Sequence, residues 1–295
     1  MNIAIEAAGF GLVTASLLSL GAVGFTLQYG VTNVFNLATA GIMTGSAYVA
    51  LQVNQAGVSI WWAMVVAGVF GGVASYALNR FVYVPFIRRG VKAFSMVIIA
   101  LAVWTMMQYI TLAIVGPGFF AFRLPKTHTY QFESISLTGT DFILIIVALI
   151  GMLALEAALR LTKFGKAMRA VATNAPLARA SGIRVDRIID ITWITSGIFT
   201  GVAGVAISMV VVSFSYTTAG DFLVPIVAAA IVGGVGSPTG AMIGALVVGM
   251  VSEIGAALTQ PDYKDVFAFA LLAVVLLLRP SGLIPEKAQR KELAL

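Results

Sequence analysis

Glu253 is a carboxylate set into the apolar run 241–258, about a turn and a half from the end of that run. An ionisable group in hydrocarbon is costly and is usually found where ions, protons or polar solutes pass. The plainer alternative is a packing carboxylate, hydrogen-bonded within a bundle. Asn33, Asn36 and Thr39 bring polar atoms into a second apolar run, 31–53. Unsatisfied in lipid, each would cost several kcal/mol, so each must face protein or a water-filled path. Pathway lining and helix-to-helix hydrogen bonding account for them equally well. Glu156 stands four residues before Arg160, the spacing of an ion pair along a helix. Asp190 follows Arg187 and is expected to pair with it, and Asp221 is expected to cap the run that begins at 222.

Bond-making chemistry has little to work with. Cysteine is absent, which removes disulfides, thiol catalysis and cysteine metal sites. His128 is the only histidine and reads as a residue of an outer loop, so no metal site and no cofactor are expected. Intramembrane proteolysis or lipid chemistry needs paired carboxylates, a Ser/His arrangement or a metal cluster within the runs. The runs hold none of these, and no residue is assigned a catalytic role. The glycine block 233–240 lacks the lysine of a G-x-x-x-x-G-K-[ST] phosphate loop, and no such loop occurs elsewhere.

Oil-facing helices must position these few groups. Of the 295 residues, 60% are apolar and 10% charged, whereas a soluble domain carries roughly 25% charge. One soluble core could not hide so much apolar surface. Lipid accepts it, at about 20 apolar residues per spanning helix. Apolar runs fall at 7–29, 31–53, 58–78, 93–115, 142–159, 188–212, 222–234, 241–258 and 266–278. The expected fold is an all-α, polytopic transmembrane bundle of about eight or nine spans, forming a single domain over 1–295. Runs 31–53 and 222–234 are expected to be broken or re-entrant. The first holds Asn33, Asn36, Gly41 and Gly45; the second is short and holds Pro225. The start of the chain is acidic rather than basic, unlike a signal peptide, and the first run is expected to be retained.

The net charge of +6 is not read as a nucleic-acid signature, because the cations gather at the ends of runs. Arg80, Arg88, Arg89 and Lys92 form one cluster. Arg160, Lys163, Lys166, Arg169, Arg179, Arg184 and Arg187 form a second, and Arg279, Lys287, Arg290 and Lys291 a third. Only Arg123, Lys126 and Lys264 fall elsewhere. Basic loops stay on the cytoplasmic side, which assigns 80–92, 160–187 and the C-terminus to the cytoplasm and 116–141 to the outside. The N-terminus is then outside if run 31–53 crosses, and inside if it only dips. Glycines four apart (68 and 72, 197 and 201, 236 and 240, 240 and 244) have the spacing that lets helices pack closely in lipid. Phe119, Phe120, Phe122, Tyr130 and Phe132 of the outer loop suit an interface belt.

The second basic loop carries a short helix with readable ends. Asn174 suits the N-cap, Pro176 the first turn and Gly182 the stop. A helix of about two turns is marginal alone and needs a partner surface. Anionic headgroups could supply one, and so could a peripheral subunit.

Here the sequence resembles the permease subunits of branched-chain amino acid ABC importers, in particular the shorter of the two paired permeases. Gly24-Phe25-Thr26 with Tyr29-Gly30-Val31-Thr32-Asn33-Val34-Phe35-Asn36 resembles the opening block of that family. Gly165, Arg169, Ala170, Ala178, Gly182 and Ile183 match its cytoplasmic segment, which is similar to the coupling loop that docks on the ATPase. Gly233-Gly234-Val235-Gly236-Ser237-Pro238-Thr239-Gly240 resembles its late glycine block, and Leu278-Arg279-Pro280-Ser281-Gly282-Leu283 its C-terminal signature.

The resemblance implies a permease of a bacterial or archaeal plasma membrane that works by alternating access. Its implied partners are a second permease subunit (a different chain in preference to a second copy), two cytoplasmic ATPase subunits and an extracytoplasmic solute-binding protein. Asn33, Asn36, Thr39 and Glu253 are the candidate pathway residues. One departure widens the solute class. After Asn36 the family commonly has Phe-Ala-His-Gly-Glu, and this chain has Leu37-Ala38-Thr39-Ala40-Gly41. Urea, short amides and other small polar solutes therefore stand beside branched-chain amino acids. The rival of another class is a self-sufficient secondary transporter or channel, which would need coupling carboxylates; only Glu253 is a candidate.

Overall fold

The computed structural model describes residues 2–125, 129–132 and 135–284. Helices α1 (Asn2–Thr32), α2 (Thr39–Gln55) and α3 (Ile60–Leu78) come first. A π-helical turn, Asn79–Tyr83, joins α3 to α4 (Val84–Arg88), and α5 (Ala93–Val115) follows. Strands β1 (Thr129–Phe132) and β2 (Ile135–Thr138) form an antiparallel hairpin with Thr129 opposite Thr138. Next come α6 (Gly139–Leu161), α7 (Lys163–Thr173), α8 (Ala175–Ala180), α9 (Val185–Val210), α10 (Thr218–Asp221) and α11 (Leu223–Gly233). Helix α12 (Pro238–Leu258), a 3-10 turn (Pro261–Tyr263) and α13 (Lys264–Leu278) complete the order.

The architecture is that of an all-α, polytopic membrane protein with one small hairpin. Among the described residues, six helical rods are long and apolar enough to cross a membrane. They are α1, the continuous rod from α3 through α4, and α5, α6, α9 and α12. The remaining apolar runs gave shorter helices: 17 residues in α2, 11 in α11 and 15 in α13. His128, Lys287, Arg290 and Lys291 lie outside the described residues.

Run 31–53 is broken, at the asparagines and not at the glycines, whereas run 222–234 forms one continuous helix and the chain breaks just after it. Gly41 and Gly45 sit inside an unbroken α2, and the interruption is at 33–38. Asn33 takes φ +52°, the left-handed conformation that ends helices and that asparagine tolerates better than most residues. Pro225 does not interrupt α11 either. It falls in the first turn, where the missing N–H leaves no bond unmade. The interruption is at 234–237, between α11 and α12.

The chain divides into two compact units, one of residues 27–124 and 155–223 and one of residues 1–26, 125–154 and 224–295. In the first unit α2, α3 and α9 pack through glycine. A Cβ on Gly71 would strike the Gly197 carbonyl, one on Gly197 the Gly71 carbonyl, and one on Gly204 the Met43 carbonyl. Only glycine admits backbones so close, and in lipid that proximity supplies the packing energy. At the foot of α3, buried Tyr83 and Trp193 stand 5.1 Å apart between ring centroids, packed with Val34, Met96 and Ala100.

In the second unit α1 and α12 pass in opposite directions. A Cβ on Gly11 would lie 2.8 Å from Met250 Sδ, and one on Gly249 2.7 Å from the Ala15 backbone. The start of α1 and the end of α12 therefore lie on one side. Helix α13 returns across α12, with Gly255 against the Phe267 ring.

Candidate functional site

Asn36 organises the break between α1 and α2. It is fully buried, and its amide makes three of the four hydrogen bonds open to it. Nδ2 donates to Gln28 Oε1 at 2.9 Å, while Oδ1 accepts from the Ala38 N–H at 3.0 Å and from the Tyr83 hydroxyl at 2.5 Å. Gln28 continues the chain of bonds, donating to Ser75 Oγ at 2.9 Å. Thr39, also buried, donates to the Asn36 carbonyl at 3.0 Å. The hydrogen bonds open the chain at 33–38 without leaving the amide of Asn36 unpaired, as an apolar surrounding requires. Asn33 differs from the other two: it is exposed and serves α1 as its left-handed stop. The bonds of Asn36 reach α1 and the π turn, while that of Thr39 is local to the break. Gln28, a polar residue inside the first apolar run, carried the same signal and was passed over.

One turn further along, Asn79 of the π turn donates to Asp190 Oδ1 at 3.0 Å. The expected partner of Asp190 was Arg187; the bond goes across to another helix instead. Glu156 and Arg160 do form their ion pair along α6.

Glu253 lies in the second unit. Its Oε1 accepts from the Thr14 hydroxyl and is ion-paired with Lys264. Glu253 and Lys264, with Glu6, Phe10 and Pro261, line a recess of about 240 Å³. The carboxylate is thus compensated by a cation and a hydroxyl, which removes most of the cost of placing it there.

The basic loop consists of two helices. The first, α7, was not anticipated. The Thr162 hydroxyl caps it by accepting from the Gly165 N–H at 3.2 Å. Gly165 lies so close to the Leu159 carbonyl that any Cβ would overlap it. Arg169 donates to that same carbonyl. A cation on the exposed carbonyls at the end of α6 suits the helix dipole, so Gly165 and Arg169 together fix the corner between α6 and α7. Ala170 is half-buried one residue on.

Helix α8 has the ends read from the sequence. Asn174 Oδ1 accepts from the Leu177 N–H at 2.9 Å. Gly182 takes φ +83°. Its N–H bonds to the Arg179 carbonyl at 3.0 Å, and the Ile183 N–H bonds to the Ala178 carbonyl at 3.0 Å. Those two bonds are the Schellman stop, which requires the left-handed residue glycine supplies. Ala178 is buried, while Pro176, Leu177, Arg179, Ala180 and Ser181 are exposed. The six residues present an apolar spot, Leu177, beside the Arg179–Asp186 pair.

Two of the sequence blocks meet in space, a relationship no local reading could supply. The C-terminal signature lies against the glycine block. A Cβ on Gly282 would come within 2.6 Å of Gly234, and Gly282 takes φ +80°. Helix α11 leaves four carbonyls without partners inside it. The Gly234 N–H satisfies those of Ala230 and Ile231 at 3.1 Å each, the Leu283 N–H that of Val232 at 2.8 Å, and the Ile284 N–H that of Gly233 at 2.9 Å.

The aromatics at 119–122 divide. Phe120 and Phe214 exchange backbone hydrogen bonds of 2.9 Å, and Tyr48, Phe122 and Phe214 cluster with ring centroids 5.0–5.4 Å apart. Phe119 alone of the three phenylalanines is widely exposed.

The family model described as branched-chain amino acid transport system, permease component, matches residues 7–276. The chain is 30% identical to the high-affinity branched-chain amino acid transport system permease protein LivH of Escherichia coli (strain K12), over 93% of both chains. It is 26% identical to the permease protein BraD of Pseudomonas aeruginosa, again over 93% of both. It is 30% identical to the probable branched-chain amino acid transport permease LivH of Methanocaldococcus jannaschii, over 92% of this chain and 90% of the other. No solved structure matches. The model covers almost every helix described above, and the chain belongs to the branched-chain amino acid transport system permease component family.

Proposed function

We propose that the chain is the transmembrane permease subunit of an ABC importer and forms, with a second permease subunit, a pathway for branched-chain or related amino acids. The observation that carries this reading is α8, a capped two-turn helix held out on a basic loop in a chain with no phosphate loop of its own. An exposed helix so short needs a surface to rest on. Two cytoplasmic ATPase subunits supply that surface, and Gly165, Arg169, Ala170, Ala178, Gly182 and Ile183 build and orient the docking element. ATP-driven closure of the ATPases moves α8, and α9, which begins three residues after Gly182, passes the movement into the membrane.

The chain works as one permease domain of eight or nine spans in a bacterial or archaeal plasma membrane. Helix α2, the segment of α10 and α11, and α13 cross in addition to the six long rods, making nine, an odd number that puts the two termini on opposite sides. The cytoplasm receives the three basic clusters, the C-terminus among them. Because α1 starts where α12 ends, and α13 then crosses back, the N-terminus lies outside. A solute-binding protein delivers the solute from that side. Asn33, exposed at the break, is the pathway residue of choice; Asn36 and Thr39 hold the break open, and Glu253 stands at the outer end of its span.

Reconstitution tests the reading. The chain should copurify with an ATPase and take up leucine, isoleucine or valine only when ATP and the binding protein are supplied. Full transport by this chain alone would reject it in favour of a secondary transporter. ATP-dependent uptake of urea or a short amide, without uptake of amino acids, would keep the class and replace the solute.

A further inference from the structure

The segment from Asn79 to Lys92 contains Arg80, Arg88, Arg89 and Lys92 and no carboxylate. Among the described residues, neither an ion pair nor a hydrogen bond engages the guanidinium of Arg80, Arg88 or Arg89. Three arginines of the second basic cluster are compensated: Arg160 by Glu156, Arg179 by Asp186 and Arg169 by a carbonyl. The three unengaged arginines line one recess of about 490 Å³ together with Phe81, Val84 and Pro85.

The π turn explains why they converge. Arg80, Val84 and Arg88 are four apart, a spacing that drifts around an ordinary helix. Arg80 and Val84 stand on either side of the end of the π turn and Arg88 lies one α-helical turn beyond, so the three follow one side of the rod. Directly before it, α3 exposes Trp62, Val66, Val69 and Val73, an unbroken apolar stripe at helical spacing. Phe81 prolongs the stripe into the recess and is 75% exposed. An oil-facing stripe thus ends at three free cations with an aromatic wall between them.

We infer that this recess binds the phosphodiester headgroup of an anionic phospholipid of the cytoplasmic leaflet, whose acyl chains lie along the exposed face of α3. Guanidinium is the cation best matched to phosphate oxygens, through paired N–H donors. Basic pockets at the cytoplasmic ends of spanning helices recognise anionic headgroups by this chemistry. A docking protein or a free phosphate ion would also neutralise the arginines, but neither uses the apolar stripe that runs into the recess. The inference does not depend on which solute the permease carries, nor on its coupling to ATP.

The test uses the full-length chain with its copurifying subunits, equilibrated in vesicles of mixed phosphatidylglycerol and phosphatidylcholine and then repurified. Retained lipid is counted by mass spectrometry. The wild type should enrich phosphatidylglycerol over phosphatidylcholine, and R80Q/R88Q/R89Q should lower that enrichment about tenfold or more. The lysine set R80K/R88K/R89K keeps the charge and should retain most of it, which separates the site from a folding defect. Single glutamine variants should show graded losses. Unchanged enrichment in the triple glutamine variant would overturn the inference. So would displacement of the lipid by excess inorganic phosphate, which would identify a free-phosphate site. Loss of the ATPase subunit with lipid retention unchanged would also overturn it, and would reassign the recess to protein docking.

Discussion

The Tyr83 hydroxyl donates to Asn36 Oδ1 at 2.5 Å, joining the π turn below α3 to the break between α1 and α2. Both residues are fully buried. Asn36→Ala leaves the Tyr83 hydroxyl, the Gln28 carbonyl oxygen and the Ala38 N–H without partners, and should cost about 2–4 kcal/mol. Tyr83→Phe removes a single donor and should cost about 1–2 kcal/mol. Thermal unfolding of the purified protein in detergent should rank the variants in that order. Equal stability of Asn36→Ala and wild type would show that the network does not hold the break.

Gly204 meets the Met43 carbonyl with no room for a side chain. Gly204→Ala should push α9 from α2 and lower stability by about 1–3 kcal/mol. Gly57, at φ +92° with open space around it, provides the contrast. There alanine meets only backbone strain, at about 1 kcal/mol. Comparing the melting temperatures of the two variants checks the difference.

Gly182→Ala and Arg169→Gln act on the two corners of the basic loop. The first strains a left-handed stop by about 1 kcal/mol; the second releases the cation from the end of α6. Both variants should reach the membrane at normal levels, and importers assembled with them should hydrolyse ATP with reduced solute uptake. The ratio of solute carried to ATP consumed is the measurement. An unchanged ratio in both variants would remove α7 and α8 from the coupling element.

Glu253 and Lys264 compensate one another at a half-exposed site, where an ion pair is worth about 1 kcal/mol or less after solvent screening. Glu253→Gln or Lys264→Gln alone should lower stability more than the double variant does, because the double variant leaves no unpaired charge. Uptake kinetics decide whether Glu253 also touches solute. A raised KM in Glu253→Gln that Lys264→Gln does not relieve would assign it to the pathway.

A tag after residue 295 should be reached by impermeant reagents only in opened cells. Labelling of intact cells would reverse the orientation of every loop.

Much of this was legible in the sequence, for physical reasons that differ by element. The long rods follow from apolar run length, which the bilayer fixes. The ends of α8 were legible because Asn174, Pro176 and Gly182 act on backbone groups within a few residues of themselves. Helix α7 was missed because its cap, Thr162, and its glycine, Gly165, look like loop residues until Leu159 is placed beside them. The spacing of Gly68 and Gly72 indicated close packing, but the tightest approach to α9 uses Gly71, since facing registers depend on two helices at once. Asp190 was assigned the nearest cation in sequence and found a neutral donor, Asn79, on another helix. Pairings of that kind are made in three dimensions and leave no local trace.

The last four carbonyls of α11 have a consequence for biosynthesis. Two of them are closed only by Leu283 and Ile284, amides synthesised some fifty residues after the helix itself. Until those amides arrive, α11 has an open, water-seeking end that hydrocarbon does not tolerate. Insertion of this helix is therefore completed only after residue 284 has left the ribosome, and a product cut short before residue 284 should be recognised and degraded as unfinished.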